Sequence, residues 1–381
     1  MKSTIYHADH ESFRKTARDF LAKEVVPHFP DWEATGVVPR DVFNKIGELG
    51  VLGIQVPEEY GGGGSDSFLY SAVWAEETAR AYVNLGGLSV HMNVVLPYFL
   101  AYCNEEQKRR WLPGLASGEL MTAIAMTEPG TGSDLAGMAT TAEKRGDHYV
   151  LNGAKTFITG GINADLVVVV ARTDNGEDRR DGLSLLVVER DMAGFTRGRN
   201  LDKIGLKTQD TAELFFEDVR VPVANLLGEE GNAFSYLTSN LPQERLGIAV
   251  AAQAAAEAAL ATTLEYVQSR KVFGTTVSSF QNTKFELAGC AADIEAGRAL
   301  VDRALAEHDA GELCAADASK VKVFCTELQA RVIDRCLQLH GGYGYMREYP
   351  IARLYADARV SRIYGGTTEV LKTIIAKSLG L

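Results

Sequence analysis

The residues of this chain that could do chemistry fall in five short stretches. AMTEPGTGSD, Ala125 to Asp134, carries hydroxyls on Thr127, Thr131 and Ser133, and its Gly130 and Gly132 let backbone approach something flat or anionic. Leu135 stands where a GxGxxG motif would need its third glycine, and an ordinary Pro-Gly turn would use the same residues. SRKVFG sets Arg270 at a helix end, with Gln281 opening the next long helix. A guanidinium there can grip a diphosphate or simply satisfy terminal carbonyls. QLHGGYGYMREYP, Gln338 to Pro350, is a Gly-rich aromatic helix exit in which His340 reads as a packed helix-end histidine. RIYGGTTEVLK puts Gly365 and Gly366 before a last helix, as a turn or as backbone brought close to a ligand. NLPQERLGIA holds Glu244 beside Arg245, a pair that suits a solvated helix face or a base in a pocket. No HExxH, Cys/His cluster or GxSxG occurs, so no metal site and no serine hydrolase chemistry are expected.

These stretches need a sizeable scaffold, and 381 residues suffice for two or three packed units. With 39 basic against 50 acidic residues, net charge −11 and no Lys/Arg-rich run, nucleic acid is not an expected partner. The five cysteines (Cys103, Cys290, Cys314, Cys325 and Cys336) lack CxxC spacing and read as reduced residues. The first twenty residues have no apolar core and are too acidic for a transit peptide, and no run approaches a membrane span. A soluble, cytoplasmic protein is the expectation.

Apolar residues recur at helical spacing from Ser12 to about Glu119, interrupted by Gly61 to Gly64, which read as a flexible exposed loop. From Met121 to about Leu227 the period becomes two, with ADLVVVVA, GLSLLVVER and AELFFEDVRV as strands and Asn152-Gly153 as a hairpin turn. After Gly231 long Ala-rich helices follow at about 232–270, 279–309, 313–340 and 368–379, the first kinked at Pro242. The expected fold is mainly α with a β domain: an N-terminal helical domain (1–120), a middle β-barrel (121–230) and a C-terminal four-helix bundle (231–381).

TEPGTGSD, the RKxFG step, QxHGGYGY and IYGGT occur in the order in which the acyl-CoA dehydrogenase family carries them, and the chain resembles that family over essentially its full length. The resemblance implies FAD held between barrel and bundle, and desaturation of an acyl thioester between its α and β carbons, the flavin taking the β-hydrogen as hydride. By resemblance Met126 (backbone), Thr127 and Ser133 lie near the flavin ring and its phosphates, and Phe157 and Thr159 pack on and hydrogen-bond the isoalloxazine. Arg270, Phe273, Gln281, Gln338 and Gly342 match positions that grip the pyrophosphate and adenosine half of a neighbouring subunit's FAD, and Thr367 and Glu369 match contacts of the last helix's first turn. A homotetramer, a dimer of dimers, follows. Ser133, Gln243, Arg245, Tyr364, Gly365 and Gly366 are the implied contacts of the acyl-CoA, and an electron-transferring flavoprotein is the implied electron acceptor.

Short- and medium-chain members place their catalytic glutamate where this chain has Gly365. Glycine accepts no proton. Long-chain and isovaleryl-type members carry theirs where this chain has Glu244, and the resemblance is closest to the long-chain members. Glu244 is therefore the expected base, arriving from the facing helix into space that a side chain at 365 would fill. The Gly365 N–H is the expected donor to the thioester carbonyl. Long or branched acyl-CoA in fatty acid β-oxidation is the expected substrate. An acyl-CoA oxidase, an acyl-carrier-protein dehydrogenase of a biosynthetic pathway and a base-less partner subunit are the competing readings.

Overall fold

The computed structural model describes residues 3–174 and 178–381. The N-terminal third is helical: α1 (Ala8–Phe20), α2 (Phe29–Thr35), α3 (Arg40–Glu48), α4 (Leu69–Arg80), α5 (Leu88–Val90), α6 (Leu96–Tyr102) and α7 (Glu105–Ser117). Asn104 and Gln107 exchange side-chain bonds with each other's backbone N–H at 2.9 and 3.0 Å, which starts α7, and left-handed Gly118 ends it. Gly61 to Gly64 do not flex freely. Their amides bond to carbonyls of Glu58, Pro57, Gly53 and Val56 at 2.9 to 3.3 Å, and a side chain at Gly62 would strike the Val56 carbonyl. The loop is pinned because glycine alone fits so close to neighbouring backbone.

The middle third is a curled sheet of β1 (Thr122–Ala125), β2 (Thr141–Arg145), β3 (His148–Thr159), β4 (Leu166–Arg172), β5 (Leu183–Glu189), β6 (Phe195–Arg197), β7 (Thr211–Pro222) and β8 (Leu226–Leu227). Pairing runs β6-β7-β3-β2-β4-β5-β8, with β1 parallel to β4. Val167 and Val169 face an interior apolar cluster fed by β1 to β7, whereas Val168 and Val170 face a second cluster shared with α6, α7 and the next helix. Both faces of β4 are thus dry, which is why it reads as a continuous valine run. Asn152-Gly153 is not the hairpin turn. It lies inside β3 at a register shift against β7, where Asn152 exchanges two hydrogen bonds with Asp218 and Gly153, at φ +149, leaves room for Thr140. The β2–β3 turn falls instead at Gly146-Asp147, between paired Arg145 and His148.

The C-terminal third holds α8 (Ala233–Ser269), a hairpin of β9 (Lys271–Val272) and β10 (Thr275–Thr276), α9 (Gln281–Asp309), α10 (Ala315–His340), α11 (Pro350–Ala358) and α12 (Thr368–Ser378). The sequence pattern did not anticipate α11. Helix α8 runs unbroken through Pro242. By length and composition α8 could cross a bilayer, yet 61% of its most apolar window is buried inside the protein, as in a core helix.

Helices α1, α4, α8 and α9 are joined by a buried ion network. Glu76 accepts from Arg14 and Arg298, each at 2.6 Å, and from Tyr6 at 2.8 Å, and Arg298 reaches Glu257 at 2.8 Å. Burial pushes the Glu76 carboxyl up, but Arg298 and Arg14 outweigh it and hold the group below its ordinary value. Removing one partner leaves buried guanidinium groups uncompensated, so Glu76→Ala is expected to cost about 3 kcal/mol or more. Urea unfolding of the two proteins checks this, and a loss below about 1 kcal/mol would show that the network contributes no more than surface pairs do.

Candidate active site

Helix α8 carries the carboxylate. Its neighbour is the π-helical turn His91–Val95 between α5 and α6, whose Asn93 and Val94 carbonyls accept from Gln243 and Asn240 at 3.1 and 3.0 Å. That docking seats Glu244 with 7% of its surface exposed. Tyr98 Oη and Asn240 Nδ2 both donate to Glu244 Oε1, at 3.3 and 3.4 Å. Burial pushes Glu244 up to about 7, against the opposing pull of Tyr98, Arg245 and Asn240.

Behind Glu244 lie two buried cations. Arg245 Nη1 donates to Ser319 Oγ at 3.3 Å and Arg245 Nε to the Gly365 carbonyl at 3.5 Å. Lys322 of α10 donates to the Tyr364 and Gly366 carbonyls, both at 2.7 Å. Burial, with Arg245 nearby, brings Lys322 down to about 8. Gly365 and Gly366 take φ +65 and +98, and a Cβ at 365 would overlap the Ile248 Cδ1 methyl. That φ favours glycine at 365, and a Cβ there would have to displace the flexible Cδ1 end of Ile248, one turn beyond Glu244.

The second part of the site is on the sheet. Lys155, fully buried, donates to the Met126 carbonyl at 3.0 Å and pairs with Glu128 at 2.8 Å, while Glu128 accepts from the Ala139 and Thr140 amides at 2.7 and 3.0 Å. Burial lowers Lys155 to about 8, with Glu128 opposing. Thr127 O accepts from Thr156 N at 2.9 Å. Glu128 and Thr131 exchange backbone bonds, so Pro129-Gly130 is a true turn, and the positions around Gly130 and Gly132 are open. Ser133 is exposed. A register shift between Lys155 and Ile158 puts Phe157 at φ +59 and turns its ring out, 68% exposed. An apolar ring held outward on strained backbone is a place for a flat partner to lie. Thr159 Oγ1, held by Gln209 at 3.1 Å, is its polar neighbour.

The remaining predicted residues sit elsewhere. Arg270 caps α8 with its guanidinium 5.2 Å from the Tyr343 ring centroid, and it lines with Gln338 and Gly342 a groove of about 480 Å³. Phe273, at φ +49, is 97% exposed, and Gln281 is the exposed first residue of α9. Thr367 is the N-cap of α12, accepting from Val370 N at 3.3 Å, and Glu369 is exposed in that helix's first turn. His340 stacks on Tyr266 at 4.3 Å and bonds the Cys336 carbonyl, the packed role read from the sequence. Arg270 lies 26 residues beyond Glu244 on or at the end of one helix, roughly 40 Å by helical rise.

Sequence reasoning missed Tyr98, Asn240, Lys155 and Lys322. A signal existed for Lys322, which interrupts the buried stripe of Val321, Cys325, Leu328, Val332 and Cys336 on α10. Among the described residues no group of His, Cys, Asp and Glu is placed to hold a metal ion. The open glycine turn beside Ser133, the outward Phe157 with Thr159, and the Arg270 groove fit FAD: a stacking surface, polar edges and a guanidinium for a diphosphate.

Three family models match the chain: "Acyl-CoA dehydrogenase, N-terminal domain" over 7–119, its middle domain over 123–219 and its C-terminal domain over 231–380. The chain is 48% identical over 377 residues to the mitochondrial long-chain specific acyl-CoA dehydrogenase of Sus scrofa, covering 98% of this chain and 87% of that one. A crystal structure of acyl-CoA dehydrogenase from Geobacillus kaustophilus superposes with a TM-score of 0.98 at 52% identity, covering all of both chains. A chain from the structure titled electron transferring flavoprotein of Acidaminococcus fermentans has a TM-score of 0.93 at 36% identity, covering 100% of this chain and 99% of that one.

Burial of Glu244 has a consequence for stability. The folded state keeps its proton up to about pH 7, whereas the ordinary value is 4.5. Between the two the folded state binds more protons, so stability falls as pH rises, by up to about 3 kcal/mol above the window. Glu244→Gln is therefore expected to be more stable than wild type at about pH 8 and to converge with it near pH 4. Thermal unfolding at the two pH values reads this, and a constant difference would place Glu244 in a wetter setting.

Proposed function

The chain belongs to the acyl-CoA dehydrogenase family of FAD-dependent oxidoreductases, and from that we propose that it desaturates longer or branched acyl-CoA thioesters in fatty acid β-oxidation with Glu244 as its base. The carrying observation is a buried carboxylate, raised to about 7, on the helix that faces the Gly365-Gly366 backbone. FAD, when bound, supplies the acceptor for the β-hydrogen. The chain's own residues handle the rest. Two donors occupy Glu244 Oε1, so Oε2 is the atom that takes the α-proton. The Gly365 N–H, with no acceptor among the described residues, meets the thioester oxygen as negative charge develops on it. A base near pH 7 suits the task, since it is ionised at working pH yet basic enough to remove the proton. Ser133, Gln243, Tyr364 and Gly366 complete the thioester's surroundings in this reading, while Arg245, turned to Ser319 and the Gly365 carbonyl, acts from behind that peptide.

Separation along α8 supports the oligomer. Glu244 and the Arg270 groove are too far apart for one FAD to touch both, so the groove with Phe273, Gln281, Gln338 and Gly342 serves the cofactor of a second copy, and a homotetramer follows by resemblance. The likeness to a chain from a structure titled for an electron transferring flavoprotein supports such a flavoprotein as electron acceptor. The five free cysteines agree with a reduced, cytoplasmic setting.

Glu244→Gln should retain FAD and lose substrate-driven flavin bleaching by at least about 1,000-fold. Normal bleaching would exclude Glu244 as base. In wild type the bleaching rate should rise with pH and be half-maximal near pH 7, because the base acts deprotonated; a flat profile from pH 5 to 9 contradicts the assignment. A panel of CoA and acyl-carrier-protein thioesters of increasing length, run with and without air, should be used fastest as long or branched CoA esters and stall without an added acceptor. Fast turnover with oxygen alone would make the protein an oxidase, and no bleaching by any thioester would make it a base-less partner subunit.

A further inference from the structure

Lys322 is buried to 1% exposure in the middle of α10, and among the described residues no carboxylate bonds its ammonium. Its hydrogen bonds go to two backbone carbonyls, those of Tyr364 and Gly366, each at 2.7 Å. A buried cation spent on main-chain oxygens is expensive and calls for a reason. The peptide geometry supplies one. Tyr364 C=O and Gly365 N–H belong to one peptide plane, and the chain has no cis bonds among its described residues. In a trans peptide the oxygen and the hydrogen point in opposite directions. Holding the Tyr364 oxygen toward α10 therefore turns the Gly365 N–H away from α10, where among the described residues no protein acceptor receives it. The Gly366 carbonyl is held by the same ammonium and the Gly365 carbonyl by Arg245, so three successive peptides are fixed from the back.

We propose that Lys322 is a positioning residue for the amide that polarises the thioester: its grip on the Tyr364 and Gly366 carbonyls aims the Gly365 N–H and makes it a stronger donor. A cation on the oxygen of an amide draws electron density from its nitrogen, so the N–H it leaves on the other side binds developing negative charge better. Charge balance favours the same arrangement. The α-carbon's proton goes to Glu244 and the C–H electron pair goes to the thioester oxygen, so the Glu244 carboxylate is neutralised as the enolate forms. Arg245 and Lys322 then stand behind the peptide that faces the new anion, and among the described residues no other carboxylate pairs with either. Gly365 takes φ +65 in the turn whose 364 and 366 carbonyls share that ammonium, a conformation that favours glycine.

This inference rests on the reading of Gly365 as the thioester's donor, and one measurement separates the two. An acyl-CoA analogue with sulfur in place of the β-carbon cannot be desaturated but loses its α-proton on a polarising site, giving a long-wavelength charge-transfer band with FAD. The pH at which half the band appears is an equilibrium property of the thioester carbonyl's surroundings, whichever group carries the proton. In the FAD-loaded wild type the midpoint should lie well below that of the free analogue; if no band forms, the donor reading and this inference fall together. If wild type forms the band, Lys322→Met should retain FAD, bind the analogue with little change in affinity and raise the midpoint by about one unit or more, with a loss of about 10- to 100-fold in bleaching rate by substrate. Lys322→Gln, a donor without charge, should lie between them and serves alone should the Met variant not fold. A midpoint equal to wild type in the folded variant overturns the role of Lys322 and leaves the donor reading standing, and a change in thermal stability by itself would mark it as merely structural.

Discussion

A carboxylate kept dry without a full salt bridge is the constraint on which the rest of this structure depends. Glu244 sits beside Arg245 in sequence, yet the arginine turns to Ser319 and the Gly365 carbonyl, and the carboxylate keeps only two long bonds from Tyr98 and Asn240. A tight ion pair would hold the group ionised far below neutrality and make it a poor base. Incomplete compensation leaves it near 7 and charges the fold for it. That cost is offset by packing and ion pairing elsewhere, including the Arg14–Glu76–Arg298 network that ties the N-terminal helices to the bundle enclosing the carboxylate.

Two buried lysines hold main chain in two different parts of the fold. Lys155 holds the Met126 carbonyl under the TEPGTGSD turn, and Lys322 holds carbonyls 364 and 366 under the glycine pair. Each is brought down to about 8 by burial and each donates to main-chain carbonyls. Backbone amides make good, rigid donors only if their peptides cannot rotate, and loops have few neighbours to stop them. Fixing the carbonyl fixes the amide. The bulge that turns Phe157 outward does for a side chain what the lysines do for peptides, since it borrows strain from a strand held on both edges.

The helix–sheet–helix order was legible because it is written in local periodicity: α8, α9, α10 and α12 begin and end within about two residues of the limits read from the pattern, and β4 and β5 are continuous apolar runs. The errors are equally physical. Asn152-Gly153 has the residues of a hairpin turn, but strand β7 and Asp218 capture it as a bulge, a tertiary override of turn preference. Gly61 to Gly64 look flexible by composition and are locked by close backbone approach that composition does not encode. Helix α11 follows a Gly-rich aromatic stretch that masks its short period.

The chain's order of residue types was enough to establish the family, the three-part layout and the candidate carboxylate, because motif spacing and hydrophobic period are properties of neighbours along the chain. It could not say what a side chain at 365 would meet, since the left-handed φ and the Ile248 methyl come to bear on that position only once α8 and the last turn are packed together. Nor could it place Lys322 behind that turn, or gather Arg270, Gln338 and Gly342 into one groove. Burial, the strength of a base and the direction of an amide depend on what surrounds a residue in three dimensions, and those surroundings come from segments 42 to 146 residues away in sequence.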